Sequence, residues 1–200
     1  MADEPRTGRG RASRERIVER AAELFAERGV AGASLDEVLA AAGAGKGQFY
    51  HYFRSRDELA AAAVGYRCAQ VVAGLTQALG GVSSLAGLEQ ALAGFIAGFE
   101  QTGLPGCPIG TLATEVAGRN EAARLQAAAG FDAWERLLAD ALERMRQRGE
   151  LRADAQPAVL ATGLLASIEG GMVLSQTRKD VASLRIAVDT GLAQVRTHLN

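Results

Sequence analysis

The residues from Ser34 to Glu58, SLDEVLAAAGAGKGQFYHYFRSRDE, constrain the fold more than any other part of the chain. Ser34 followed three residues later by Glu37 is the pattern of a capping box, in which two side chains satisfy free N–H groups at a helix start. Leu35, Val38, Leu39 and Ala42 then recur at helical spacing and make one apolar face. Gly43 stands where a helix ending in the left-handed conformation needs a residue without Cβ. A second helix begins at once and carries Lys46, Gln48, Tyr50, His51 and Tyr52, with few apolar anchors. A short helix of this kind, with an exposed polar and aromatic face, suits a groove of DNA. The stretch reads as a helix-turn-helix.

The rest of the chain is written for helices. Ala, Leu, Glu, Arg and Gln abound, aromatic residues make up 5% of the 200 residues, and no stretch alternates as a strand does. The expected fold is all-α with about nine helices. An N-terminal three-helix helix-turn-helix domain is followed by a C-terminal helical bundle. Ser13 is expected to cap the first helix, which stops at Gly29 with Ile17, Ala21, Leu24 and Phe25 inward. Ser55 and Glu58 form a second capping box, opening a long helix from Arg56 to about Leu79. Further helices are expected over 84–100, 109–117, 120–147, 154–177 and 180–198. The last carries Leu184, Val188, Leu192 and Val195 inward.

The opening residues are polar and basic and lack the apolar core of a secretory signal. Gly or charge interrupts every candidate run of about 18 apolar residues, so no membrane span is expected. Two cysteines, Cys68 and Cys107, are too few for a disulfide framework and too isolated for a zinc site. A cytoplasmic location is expected.

Net charge is −1, and residues 1–67 hold eleven Lys and Arg against ten Asp and Glu. Bulk charge therefore says little, and placement says more. Arg6, Arg9, Arg11, Arg14 and Arg16 make residues 1–12 and the start of the first helix a flexible basic arm, which either touches DNA or stays solvated. Residues 13–55 form the DNA-binding domain, and residues 56–200 the second domain.

The first helix followed by SLDEVLAAAGAGKGQFYHYFRSRDEL resembles the DNA-binding domain of the tetracycline-repressor (TetR) family of bacterial regulators, over about Ser13 to Leu59. Shared features are the glycine before the second helix, Lys-Gly, Phe-Tyr-His-Tyr-Phe and Ser-Arg-Asp-Glu-Leu. Gly45 departs from the pattern, because the family often has Ser or Thr there; the hydroxyl contact is lost, although glycine can still cap a helix. The phrase GCPIGTLATEV resembles a branch of multidrug-type repressors. Lys46 and Gln48, at the start of the second helix, are placed to reach base edges, where Lys favours guanine acceptors and Gln favours adenine. The resemblance implies that Tyr50, His51 and Arg56 hold phosphates and that Ser34 joins them while capping its helix. Gly47 allows close approach, and Arg14 and Gly45 complete the DNA-binding set. Phe49, Phe53 and Tyr52 are expected in the core.

Between Arg67 and Arg119 there is no basic residue, and Glu89, Glu100 and Glu115 are the only charges. These helices are either mostly buried or line something apolar. Phe95, Phe99, Leu112, Phe131, Trp134, Leu138, Ile168 and Met172 are the candidate lining of an apolar pocket, with an ordinary packed core as the alternative. In the resembled family that space binds an inducer, which implies a hydrophobic small-molecule effector. Glu169, midway along an apolar helix, is the best polar candidate. Leu164, Gly171, Leu184, Val188, Leu192 and Val195 are expected at a homodimer interface, with Gly163, Gly170 and Gly171 permitting close helix contact. Such a dimer would meet a palindromic operator in double-stranded DNA. A thiol switch at Cys107 stays open as a second reading. An enzyme is a third, but the chain has only His51 and His198, no phosphate loop and no metal spacing. No cofactor is expected.

Overall fold

A computed structural model of the chain describes residues 7–200, and among these it contains nine α-helices and no strand. They are α1 (Gly8–Gly32), α2 (Leu35–Ala42), α3 (Lys46–Tyr52), α4 (Arg56–Leu79), α5 (Leu85–Gln101), α6 (Pro108–Val116), α7 (Glu121–Gln147), α8 (Pro157–Arg178) and α9 (Ala182–Arg196). The all-α expectation holds, and most helix bounds fall within a few residues of those read from the sequence.

The start of α1 differs. Thr7 caps it, its Oγ1 accepting the Gly10 N–H at 3.1 Å, and the helix runs through Gly8 and Gly10. Residues 8–12 are therefore helical rather than a flexible arm. Arg9 and Arg11 stand on the first turns, while Arg6 lies outside the described residues. Ser13, expected as the cap, is buried inside the helix. The helix breaks at Gly29, where the stop was expected, and resumes for a short turn to Gly32.

The chain divides into two compact units, and α4 and α7 contribute residues to both. The first comprises the chain up to Gln70 together with Pro108–Gly130. Ile17, Ala21, Phe25, Val38, Leu39, Phe49, Phe53 and Leu59 are buried in it, joining α1, α2, α3 and the start of α4 around one core. Cys68 lies so close to Gly130 that a Cβ there would meet its Sγ at 2.8 Å, and burial pushes this thiol's pKa up.

The second unit comprises Val71–Cys107 and Phe131–Asn200. Its most extensive helix packing joins α8 to α9. A Cβ on Gly171 would lie 2.9 Å from the Leu184 Cα, so the two backbones approach as only glycine allows. Leu164, Leu184, Val188, Leu192 and Val195 are all buried within this single chain. The stripe on α9 therefore does not face water awaiting a partner; its burial is satisfied within the chain. Gly163 and Gly170 open onto empty space and make no close helix contact of their own.

The isolated acids of the central stretch are each used. Glu89 pairs with Arg196 at 2.6 Å and Glu100 with Arg185 at 2.7 Å, tying α5 to α9. Glu115 serves the first unit, accepting the Ala31 N–H. By length and composition α4 and α8 could each cross a membrane, contrary to the sequence reading; each has a buried face packed within the protein.

Candidate nucleic-acid interface

The turn between α2 and α3 is built from local chemistry. Ser34 Oγ accepts the Glu37 N–H at 3.2 Å, while Glu37 Oε2 accepts the Ser34 N–H at 2.8 Å. These bonds, with Arg28 at 2.9 Å, hold the Glu37 carboxyl below the usual carboxylate range. Gly43 ends α2 with φ 60° and ψ 37°, and Gly45 starts α3 without a side-chain cap. Phe49 and Tyr52 anchor α3 inward, and Phe49 stacks on Phe53 at 5.6 Å. That anchoring leaves Lys46, Gly47, Gln48, Tyr50 and His51 exposed on one short helix, with Tyr50 64% accessible. Nothing stands within 4 Å of a Cβ built on Gly45 or Gly47. The face is polar and aromatic, and free of backbone obstruction.

Several site residues expected from the sequence are already engaged. The Ser34 hydroxyl donates to Glu37 Oε2 at 2.7 Å, so its proton serves the cap rather than a phosphate. Arg14 lies over the Phe53 ring, 5.1 Å from the centroid, instead of extending as part of an arm. Arg56 differs most. Its Nη2 donates to the carbonyls of Val30 and Ala33, the latter at 2.6 Å, and this fastens the start of α4 to the end of α1. In this structure it braces two helices. Glu58 N–H bonds Ser55 Oγ at 3.2 Å as a cap should, but the Glu58 carboxylate accepts from Arg54 N and leaves that box half formed. Lys46 pairs with Asp36 at 3.0 Å on an exposed surface, and Gln48 Nε2 donates to Ser13 Oγ at 3.2 Å.

Residues 17–63 match the family model for bacterial regulatory proteins of the tetR family, and residues 84–190 match that for the C-terminal domain of LmrA/YxaF-like transcriptional regulators. The chain belongs to the TetR family of transcriptional regulators. It is 33% identical over 187 residues to an HTH-type transcriptional regulator of Mycobacterium tuberculosis, covering 86% of this chain and 88% of that one. It is 32% identical over 181 residues to the HTH-type transcriptional regulator YxaF of Bacillus subtilis, covering 88% and 92%. The crystal structure of regulatory protein TetR from Rhodobacter sphaeroides superposes with a TM-score of 0.74 at 26% identity, covering 90% of this chain and 97% of that one. These relatives are regulators, not enzymes.

In this TetR-family regulator the candidate effector residues are distributed unevenly. Phe95 and Trp134 meet in the second unit, with centroids 5.8 Å apart and planes tilted by 60°. Phe99, Leu138, Ile168 and Met172 are buried in the same unit, and Phe131 is half-buried. Leu112 is buried in the first unit. Glu169 is half-buried, and its Oε1 is enclosed without a hydrogen-bond partner among the described residues. Burial raises its pKa above the usual carboxylate range, opposed by a hydrogen bond from Cys107. Cys107 itself is 3% exposed. One neighbour of this thiol is therefore an acid, which does not favour a thiolate as a cation would. Gln176 Nε2 donates to the Pro105 carbonyl at 2.9 Å and crosses close to Gly106, whose φ of +83° favours glycine.

The sequence reading missed Thr7, misplaced Ser13 as a cap and gave Glu115 no role. A helix cap followed by Gly-Arg-Gly carries no clear start signal, and the partners of Ser13 and Glu115 are distant in sequence.

Proposed function

We propose that the protein is a homodimeric repressor that holds a palindromic operator through α3 and leaves it when an apolar small molecule binds the second unit. The observation that carries this reading is the exposed α3 face, Lys46, Gly47, Gln48, Tyr50 and His51, on a helix anchored by Phe49 and Tyr52. Lys46 and Gln48 read base edges, guanine and adenine respectively, while Tyr50, His51 and the backbone near Gly45 hold phosphates. The Lys46–Asp36 pair is exposed on both sides, so exchanging it for DNA costs little. Operator binding places the protein in the cytoplasm.

The outer face of α8 supports the dimer. Val159, Gly163, Ala166, Gly170 and Val173 recur there at helical spacing, all exposed and none charged. On α9, Ile186 is 66% exposed. An uncharged stripe with glycines lets a two-fold-related copy approach closely, and such a dimer presents paired recognition helices to half-sites about one or more helical turns apart. This face replaces the Leu184 stripe as the proposed interface.

The Phe95–Trp134 pair, with Phe99, Ile168 and Met172 buried in the same unit, favours an apolar, aromatic effector. The unpaired Glu169 oxygen offers it one polar contact. Trp134 is the only tryptophan, so its fluorescence reports binding directly. The test has two arms. Genomic fragments retained by the purified protein should share an inverted repeat, and light scattering should give a dimer at micromolar concentration. A hydrophobic compound that quenches Trp134 should bind more weakly when that repeat is present, because linkage is reciprocal. A monomer that retains no common sequence would overturn the reading.

A further inference from the structure

Two polar side chains are buried among the described residues, Ser13 and Ser175. Ser175 is explained by the fold, since its Oγ accepts the Leu184 N–H at 2.9 Å at the base of the α8–α9 turn. Ser13 is not. It sits on the inner side of α1 near Ile17 and is 4% exposed; Ala is the better helix former and would leave no polar atom to satisfy there. Its partner comes from another helix 35 residues away, because Gln48 Nε2 on α3 donates to Ser13 Oγ at 3.2 Å. Gln48 is otherwise exposed.

A glutamine amide is a donor and an acceptor held side by side in one plane. An unrestrained glutamine side chain turns about several torsions and carries its amide over many positions. The hydrogen bond to Ser13 holds the amide against α1 and restricts that search. With the nitrogen on Ser13, the remaining N–H and Oε1 are left for another partner. That pair suits adenine, which offers an acceptor, N7, beside a donor, N6–H.

We infer that Ser13 is a specificity-determining residue for DNA, a positioning group that holds the Gln48 amide in place so that it selects adenine at one base pair of each half-site. The inference rests on the proposed entry of α3 into the major groove. Ser13 touches no base; it acts through Gln48.

The test starts from a pool of random duplexes, from which the intact protein selects its preferred site. Affinity is then measured for that site and for every single-base variant. Gln48→Ala identifies the base pair that Gln48 reads. Ser13→Ala is expected to lose about five-fold or more of the preference at that pair, while leaving preferences elsewhere and the thermal midpoint unchanged. In the Gln48→Ala background, Ser13→Ala is expected to change nothing, which a merely structural role would not give. Should Ser13→Ala fail to fold, Ser13→Cys keeps the volume with only a weak acceptor and serves the same comparison. Full preference retained by the Ser13 variants, or an equal loss with Gln48 absent, would overturn the inference and leave operator binding intact. A wild-type protein that enriches no sequence would overturn the operator reading, and this inference with it.

Discussion

The Glu115 carboxylate accepts the Ala31 N–H at 2.7 Å, directly beyond the point where α1 breaks at Gly29. A broken helix leaves backbone N–H groups without intrahelical partners, and an acid from α6 satisfies one of them. The same carboxylate fills the space over Gly29, since a Cβ there would stand 3.0 Å from both Glu115 oxygens. Gly29 also has φ 77° and ψ 162°, a region that residues with Cβ scarcely occupy.

Gly29→Ala should therefore destabilise the protein by about 1–3 kcal/mol, from backbone strain alone. Glu115→Ala should cost less, about 1 kcal/mol, because it leaves one partly exposed N–H for water to satisfy. Urea unfolding of the two variants measures the order. A Gly29→Ala protein as stable as the parent would show that the break is not fixed by glycine.

Arg56 gives a prediction that separates brace from phosphate contact. With its guanidinium bonded to the Val30 and Ala33 carbonyls, Arg56→Ala should lower stability by about 1–2 kcal/mol, allowing for its partial exposure. Operator affinity should keep its dependence on salt. A phosphate contact would instead reduce the slope of log affinity against log salt by about one unit, with little change in unfolding.

The contrast at Arg56 shows which parts of the molecule are legible in the sequence. Ser34 with Glu37 and the glycine at 43 act over three or four residues, so the helix-turn-helix could be read residue by residue and is present in the structure. Phe49 and Phe53 could be assigned to the core because a short helix needs its aromatic anchors. Arg56 could not be read, since its acceptors are carbonyls 23 and 26 residues earlier, and only packing turns the guanidinium toward them. Leu184, Val188, Leu192 and Val195 show the same limit. Periodicity says that a face is covered, not whether α8 or a second chain covers it. Thr7 escaped notice because a cap is recognisable chiefly by the helix formers after it, and Gly8 and Gly10 are poor ones.

The α8–α9 contact provides a paired comparison. At Gly171 an added methyl group meets the Leu184 Cα at 2.9 Å, and backbone cannot yield without separating the helices. At Gly191 the nearest atom is the Leu164 Cδ1 at 2.7 Å, the end of a flexible side chain, with its Cα at 3.4 Å. Both changes to Ala gain about 1 kcal/mol of helix propensity. Gly171→Ala should nonetheless lose about 1–3 kcal/mol through overpacking, whereas Gly191→Ala should be close to neutral. Thermal unfolding of both variants checks this, and equal losses would mean that Leu164 has no alternative rotamer to take.

Glu169 is expected to make stability depend on pH. Burial raises its carboxyl pKa in the folded chain, and the hydrogen bond from Cys107 only partly opposes this. The folded state thus holds its proton at pH values where the unfolded chain, with an ordinary carboxyl near about pH 4.3, has lost it. More protons are bound folded than unfolded, so stability must fall as pH rises from that value through the raised one. Above that interval the cost is constant and complete. Glu169→Gln has nearly the same shape and carries no charge at any pH. It should match the parent near about pH 4, where both are neutral, and become the more stable of the two as pH rises toward neutrality. Thermal midpoints of the parent and of Glu169→Gln, measured from acid to neutral pH, give the difference directly. Cys107→Ser tests the neighbour in the same series: a hydroxyl donates more strongly than a thiol, so the fall in stability should become shallower. If the parent instead gained on Glu169→Gln with rising pH, the carboxylate would have a partner in solution that stabilises its charge, and the unpaired Oε1 would not describe the protein as it folds.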